Sequence, residues 1–360
     1  MKIAIIGLGV IGGSLGLAIK QNRPRAVIVG FDSPGVLRRA KKRKAIDLLA
    51  PSLRSAVSDA DIVFVCTPVG SILKLLPEIS RCVPPQAIVT DVGSVKGIIQ
   101  TRAKRYFSAR GVFIGGHPMA GSEGSGIEYA DSMLFQNAVY VLCPFRGSGK
   151  RIQPLVSLLK SIGARILTMD AREHDRVAAA ISHLPQLIAV SLMEHAAGKN
   201  KRNPAFLQLA AGGFRDMTRI ASSPFRVWKD ILSNNRNEAR KALGEFEKLL
   251  RQFRKGLLQD SLSDIGKKFI RAKSFRDSIP KNTKGFLHSL HDLFVWVDDK
   301  PGTLARMTAA LFRSGININD IELLKVREGQ GGTFRLSFES VETASHASKV
   351  LKAKGFRVVR

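Results

Sequence analysis

The chain has 360 residues, 44% of them hydrophobic, enough for two or three domains each with its own core. Its three cysteines, Cys66, Cys82 and Cys143, are widely spaced and form no paired motif, which excludes a disulfide framework, leaves a metal site unexpected and fits a reducing, cytoplasmic setting. A net charge of +28 raises nucleic acid as a partner, but the excess is spread, with +13 over residues 1–170, +4 over 171–228, +8 over 229–285 and +3 over 286–360, which speaks against a nucleic-acid-binding patch.

Met1-Lys2 leads straight into the strand-like "IAIIG", so no targeting segment is expected. Up to about Asp170, short apolar runs ("KIAIIG", "AVIVGFD", "DIVFVCTP", "AIVTDVGS", "VFIGGHP", "AVYVLCP", "RILTMD") alternate with helix-like stretches. That alternation predicts an α/β, Rossmann-like, doubly wound parallel sheet covered by helices on both faces. Directly after the first strand, "GLGVIG" sets Gly7, Gly9 and Gly12 in G-x-G-x-x-G spacing, for a tight turn, for backbone approach to a pyrophosphate and for close helix packing. Asp32 ends the next strand 20 residues after Gly12, where a carboxylate accepts hydrogen bonds from ribose hydroxyls and disfavours an extra phosphate. The cofactor is therefore expected to be NAD, held by Gly7, Gly9, Val10, Ile11, Gly12, Asp32, Thr67 and Pro68, with Arg38 and Arg39 the residues that would suit NADP instead. The dense run "RRAKKRK" (38–44) has no interleaved aromatics to stack on bases and reads as a solvated helix face.

Ligands of such sheets bind beyond the carboxyl ends of the strands, and three later strands end there in "CTP", "DVGSVKG" and "GGHPMAGSEG". Ser94 and His117 could converge there; the bland alternatives are a helix N-cap for Ser94 and a structural histidine for His117. After Asp170 the pattern becomes helical, with "EHDRVAAAISHLPQLIAVSLMEHAAG" and Asn237 to about Lys273 as long helices separated by the loop-like "GKNKRNP". The apolar run "LPQLIAVSLM" is shorter than the roughly 20 residues of a membrane crossing, so no membrane association is expected. "SHLPQL" carries His183 and Gln186, and "AAGGFRDMTRIASSPFRVWKDI" carries Arg215, Arg219 and Trp228 in what reads as a loop between helices, where arginine forks can meet a carboxylate. "SIPKNTKG" reads as a linker. The remainder spells β, α, β, β, α, β, a ferredoxin-like module with Pro301 in the first turn of its first helix and Gly315 at that helix's end.

Together "GLGVIGGSL", "DVGSVK", "GGHPMAGSEGSG", "EHDRVAAAISHLP" and "GGFRDMTRIASSPFRVWKDI" resemble the prephenate, arogenate or cyclohexadienyl dehydrogenases, and "DLFVWVDDKPGTLARMTAALFRSGINI" is similar to an ACT domain. The resemblance implies a dinucleotide-binding domain over 1–170, a helical substrate and dimerisation domain over 171–280 and an ACT regulatory domain over 286–360. It implies NAD-dependent oxidative decarboxylation of prephenate to 4-hydroxyphenylpyruvate, with arogenate as the alternative substrate and a homodimer as the assembly. Carried over by position, His117 is the base and Ser94 its partner at the substrate hydroxyl. Ser122 and Glu123 belong to the loop around the site, Arg219 binds a substrate carboxylate, and Gly212 and Trp228 lie nearby. Gln186 stands where many relatives have a second histidine. Tyrosine is the implied effector, near Gly302, Leu304 and Asn317. The rivals are a hydroxyacid or imine reductase, which wants a lysine base for which the sequence offers no convincing candidate, and a non-catalytic NAD and amino-acid sensor.

Overall fold

The computed structural model describes residues 1–107, 111–121, 124–145, 149–259, 261–279, 290–327 and 331–359. The chain divides into two compact units, Met1–Ile265 and Gly266–Arg360.

The first unit begins with β1 (Lys2–Ile6), α1 (Val10–Asn22), β2 (Val27–Phe31), α2 (Pro34–Lys42), β3 (Leu48–Leu49), α3 (Leu53–Val57) and β4 (Ile62–Val65). It continues through α4 (Val69–Cys82), β5 (Ile88–Asp91), α5 (Gly97–Lys104), β6 (Val112–Pro118), β7 (Val139–Pro144), α6 (Gln153–Ser161) and β8 (Arg165–Thr168). These strands form one eight-stranded sheet in the order β3-β2-β1-β4-β5-β6-β7-β8. Strands buried on both faces are apolar at successive positions rather than alternately. Thus β1 sends Ile3 and Ile5 into a core with Leu15 and Ile19 of α1 and Leu158 of α6, and Ala4 and Ile6 into another with Ile72 and Leu76 of α4 and Ile99 of α5. Leu37 and Ala40 of α2 are buried while most of its basic residues stay outside, as the run "RRAKKRK" suggested.

The expectation of a wholly parallel sheet needs one correction. Strand β7 pairs antiparallel with β6, and β8 follows β7 in parallel, so these two strands run against the other six. A parallel neighbour needs a long crossover, commonly a helix. Between β6 and β7 the described chain holds only a single 3-10 turn, Ile127–Tyr129, and returns on the same side, whereas α6 carries β7 over to β8.

The helical part contains α7 (Ala171–Ala178), a π-helical turn Ala179–His183, α8 (Leu184–Asn200), α9 (Ala205–Gln208), α10 (Gly212–Thr218), α11 (Phe225–Asn234) and α12 (Arg236–Leu258), followed by α13 (Leu262–Ser278). Helix α8 runs through Gly198 to Asn200, so part of "GKNKRNP" is helix rather than loop. Arg215 lies within α10, and Arg219 opens the 3-10 turn Arg219–Ser222, so the two arginines sit at a helix end and not in an open loop. Ala171–Asn200 forms 30 continuous residues that are, by length and composition alone, apolar enough to cross a membrane, which the short apolar runs had not suggested. Its buried His174, Asp175 and His183 find partners elsewhere in this chain.

The second unit holds β9 (His291–Val297), α14 (Thr303–Arg313), β10 (Asp320–Arg327), β11 (Gly331–Phe338), α15 (Val341–Ala353) and β12 (Arg357–Val359), with the antiparallel strand order β10-β11-β9-β12. Leu293, Val295 and Val297 alternate inward from β9 onto Met307 and Leu311 of α14 and Leu351 of α15. The expected βαββαβ module is present. Pro301 precedes α14 instead of starting it, because Gly302 takes a left-handed conformation (φ +83°) at the N-cap.

At the turn from β1 into α1, Gly7 has φ +93°, and a Cβ at Gly12 would lie 2.0 Å from the Gly7 carbonyl oxygen. Gly12→Ala is therefore expected to cost about 1–3 kcal/mol through forced repacking. It should be read as a lower urea midpoint with an unchanged slope.

Candidate active site

The nucleotide end of the sheet is built by β1, β2 and β4. Among the described residues nothing lies within 4 Å of the position a Cβ would take at Gly9, so the backbone at the start of α1 is open to a ligand. Among the described residues no side chain caps that helix end, which leaves its first N–H groups for an anion. Asp32, just past β2, accepts hydrogen bonds from the backbone N–H groups of Leu8 (2.7 Å) and Ser33 (2.6 Å), which fixes its carboxylate beside the glycine turn. Thr67 presents a buried hydroxyl with no hydrogen-bond partner among the described residues. An open cradle, a fixed acid and an orphaned hydroxyl fit a dinucleotide. Arg39 lies 2.6 Å from Glu128 in an ion pair on the surface. Val10 and Ile11 open α1, and Pro68 is the N-cap residue of α4.

Beyond the ends of β5 and β6 lies a cleft of about 710 Å³ lined by Ser94, His117, Pro118, Met119, Ala120, Gly121 and Ser125 from the sheet side. Ser182, Arg215, Arg219, Ile220, Ser223, Pro224, Arg226, Val227 and Trp228 line it from the helical side. The structure thus gathers Ser94, His117, Arg219 and Trp228, which the sequence had placed in the site, around one volume. Gly212 and Gln186 are not among its lining residues; Gln186 is buried within α8. Ser122 and Glu123 lie outside the described residues. Arg226, which the sequence reading passed over, joins the lining and reaches the Ser125 hydroxyl at 3.4 Å.

The bareness of "GGHP" has a packing cause. A Cβ at Gly116 would stand 2.4 Å from the Asp91 carbonyl oxygen and 3.1 Å from the ring of Tyr140, which crosses β6 at this point. Beneath His117, Lys96 and Asp91 form a fully buried ion pair, and Lys96 also donates to the Gly116 carbonyl. Asp91 accepts from the N–H groups of Gly93 (2.8 Å) and Gly116 (3.1 Å), so this pair has the hydrogen bonds that make buried charge tolerable.

His117 Nδ1 lies 2.8 Å from His174 Nε2, and His174 Nδ1 lies 2.9 Å from Asp175 Oδ1. Asp175 accepts the backbone N–H groups of Lys96 (2.7 Å) and Gly97 (2.8 Å) at the start of α5. Asn235 donates to the Asp175 carbonyl at 2.8 Å and lies 3.3 Å from His183 Nδ1. The ring of His183 meets Trp228 edge-on at 6.0 Å. Burial first, then Lys96, His174 and His183, hold the His117 imidazole well below the ordinary value of 6.5, which keeps it neutral and able to accept a proton. Lys96, His174, Asp175 and Asn235 were given no role from sequence. Their signal was present in "DVGSVK" and in the adjacent histidine and aspartate of "EHD", without anything local to say that they meet.

Three family models match the chain: the nucleotide-binding domain of prephenate dehydrogenase over residues 15–168, its dimerisation domain over 170–269, and the ACT domain over 291–353. The prephenate dehydrogenase of Bacillus subtilis (strain 168) is 37% identical over 355 residues, covering 98% of this chain and 96% of the relative. The chain belongs to the prephenate dehydrogenase family. Among solved structures of that family, prephenate dehydrogenase from A. aeolicus in complex with hydroxyphenyl propionate and NAD+ superposes with a TM-score of 0.72 at 28% identity, covering 78% of this chain and 98% of that one. Synechocystis arogenate dehydrogenase gives a TM-score of 0.69 at 31% identity, covering 77% and 99%.

The buried histidines also make this family member acid-sensitive. Desolvation drops His183 to about 4, while its unfolded value is 6.5. The unfolded chain therefore takes up the proton first, and native stability falls as pH drops from about 6.5 towards 4, by at most about 3 kcal/mol from this residue. Urea titrations at several pH values should show His183→Gln losing less stability over that window than the wild type, whatever its stability at neutral pH.

Proposed function

We propose that the chain catalyses the NAD-dependent oxidative decarboxylation of prephenate to 4-hydroxyphenylpyruvate, with His117 as the catalytic base. The observation that carries this reading is a neutral, half-buried imidazole lining a cleft together with Arg215, Arg219 and Arg226, next to the open glycine turn at the sheet's nucleotide end. When bound, NAD accepts the hydride from C4 of the ring. Residues 1–170 hold the nucleotide, with Asp32 on the ribose, and the carboxylate of Asp32, fixed beside the glycine turn, supports NAD over NADP.

The rest of the chemistry belongs to the chain's own groups. An alcohol is too weak an acid to ionise unaided, so its O–H proton must move to a positioned base as the hydride leaves. His117 takes that proton, and Ser94 orients the hydroxyl. The ring is then a dienone, and the bond from C1 to its carboxylate breaks. Carbon dioxide departs, the electron pair enters the ring, and the phenolate oxygen recovers the proton from His117. A carboxylate base would repel a substrate that already carries two carboxylates, and a lysine would ordinarily be protonated. Arg219 holds a substrate carboxylate through a planar, charge-assisted pair, with Trp228 near the substrate and Ser122 and Glu123 completing the loop.

Residues 171–280 form the dimer contact in this reading. Ile181, Leu209, Met217 and Phe225 are 63%, 80%, 64% and 70% exposed in the single chain, an amount of apolar surface that a second copy would cover. The ACT module over 286–360 binds tyrosine as a feedback effector around Gly302, Leu304 and Asn317. Its support is the start of α14 at the left-handed Gly302, which no side chain caps among the described residues, and the exposure of Leu304 and Asn317. All three cysteines are free thiols, which supports a cytoplasmic setting.

The decisive assay follows NADH formation with prephenate and arogenate, each with NAD and NADP, and prephenate with NAD is expected to be the productive pair. His117→Asn should lower kcat by roughly 10²–10⁴-fold with little change in KM. Arg219→Gln should chiefly raise KM, by about 10²-fold; the opposite pattern would overturn both roles. Tyrosine should inhibit the intact chain and fail to inhibit a Gly302→Val variant.

A further inference from the structure

The contacts behind His117 decide which of its nitrogens is bare. Asp175 receives backbone N–H groups on both carboxylate oxygens, from Lys96 at 2.7 Å and from Gly97 at 2.8 Å. Backbone amides can only donate, so this carboxylate is held as an acceptor, at the positive end of α5. His174 Nδ1, 2.9 Å from Asp175 Oδ1, must then carry the hydrogen, because a bare nitrogen there would set lone pair against lone pair. In a neutral imidazole the other nitrogen is bare, so His174 Nε2 is an acceptor. It sits 2.8 Å from His117 Nδ1, which must therefore be the protonated nitrogen of that ring. Nε2 of His117 is left without a hydrogen, and His117 lines the cleft.

We propose that His174 and Asp175 are positioning residues that fix the tautomer of His117, so that Nε2 is the bare nitrogen offered to the substrate hydroxyl. The inference rests on the reading of His117 as the base. It assigns a task to two buried groups that touch no substrate. Once His117 has taken the proton, its Nδ1–H still donates to His174, and the new positive charge is shared along a line that ends on a carboxylate. His174 is 2% exposed and Asp175 7%, so both contacts are made almost wholly within the protein. The other charged or titratable groups facing His117 are Lys96 and Asp91 below it, His183 from the π-helical turn, and Arg215, Arg219 and Arg226 around the cleft. Of these, His183 also feels His174, which lowers it.

The test has two arms. In the first, histidine-selective 15N labelling of the ligand-free full chain reads the tautomer directly. The wild type should show His117 protonated at Nδ1, and His174→Phe, which keeps a ring in the space, should show a mixture. An Nε2–H tautomer in the wild type, or no change in the variant, overturns the proposal. In the second, prephenate oxidation is measured across pH. His174→Phe should lose roughly 10²–10⁴-fold in kcat with KM nearly unchanged, as expected when a base spends its time in the wrong tautomer. The acid limb of its profile should move to higher pH, because His174 is one of the groups that hold the His117 imidazole low. His174→Gln, whose amide oxygen can take the Nδ1–H, should recover part of the loss. Equal losses in the two variants with an unmoved profile overturn the proposal. If the wild type shows the Nδ1–H tautomer yet oxidises neither prephenate nor arogenate, the functional reading fails while the tautomer assignment stands.

Discussion

The carboxylate of Asp175 is the constraint on which the rest of this molecule depends. It stands near the start of the long helical stretch, yet two of its hydrogen bonds go to amides at the start of α5, on the sheet. A helix start has N–H groups with no partner inside the helix, so an anion brought there gains both hydrogen bonds and a favourable dipole. This one group thereby ties the helical wall of the cleft to the strand ends that form its floor. Asn235, at the head of α12, closes the arrangement by donating to the Asp175 carbonyl. The distance across the cleft is thus set by short, buried hydrogen bonds rather than by surface contacts.

The floor is rigid for a different reason. The ion pair of Lys96 with Asp91 is fully buried and surrounded by backbone donors and an acceptor, so neither charge can leave without exposing the other. The absence of side chains in "GGHP" lets the Tyr140 ring and the Asp91 carbonyl close in on β6 from either side. The glycines beside the histidine therefore serve strand packing as much as access to the cleft.

How much of this could be read beforehand depended on how local each cause was. The fingerprint glycines and Asp32 were legible because the reason for each lies within its own turn. His117 could be found from its place at a strand end, and Arg219 and Trp228 from a long motif. The pairing of His117 with His174 was not legible, since the two are 57 positions apart and nothing in either neighbourhood marks the contact. The link between Lys96 and Asp175 spans 79 positions and leaves equally little trace. The reversal of β7 escaped notice because an apolar run carries no direction. Only the lack of a crossover helix after β6 could have shown it. The π-helical turn that sets Ser182 and His183 is likewise invisible to a reading built on a regular helical period.

That reversal matters beyond topology. Because β7 returns beside β6, the connection between them stays at the ligand end of the sheet, and its two halves serve different neighbours. Met119, Ala120 and Gly121 wall the cleft, while Ile127 and Ala130 pack over Gly13 of α1 and Glu128 holds Arg39. Asp131 donates its N–H to Ser14, which anchors the far half on the nucleotide-side helix. One excursion of chain thus walls the cleft with its first half and packs on the nucleotide-side helix with its second, so a change in its length would be felt on both sides at once, while His117, seated on the strand itself, would stay where it is.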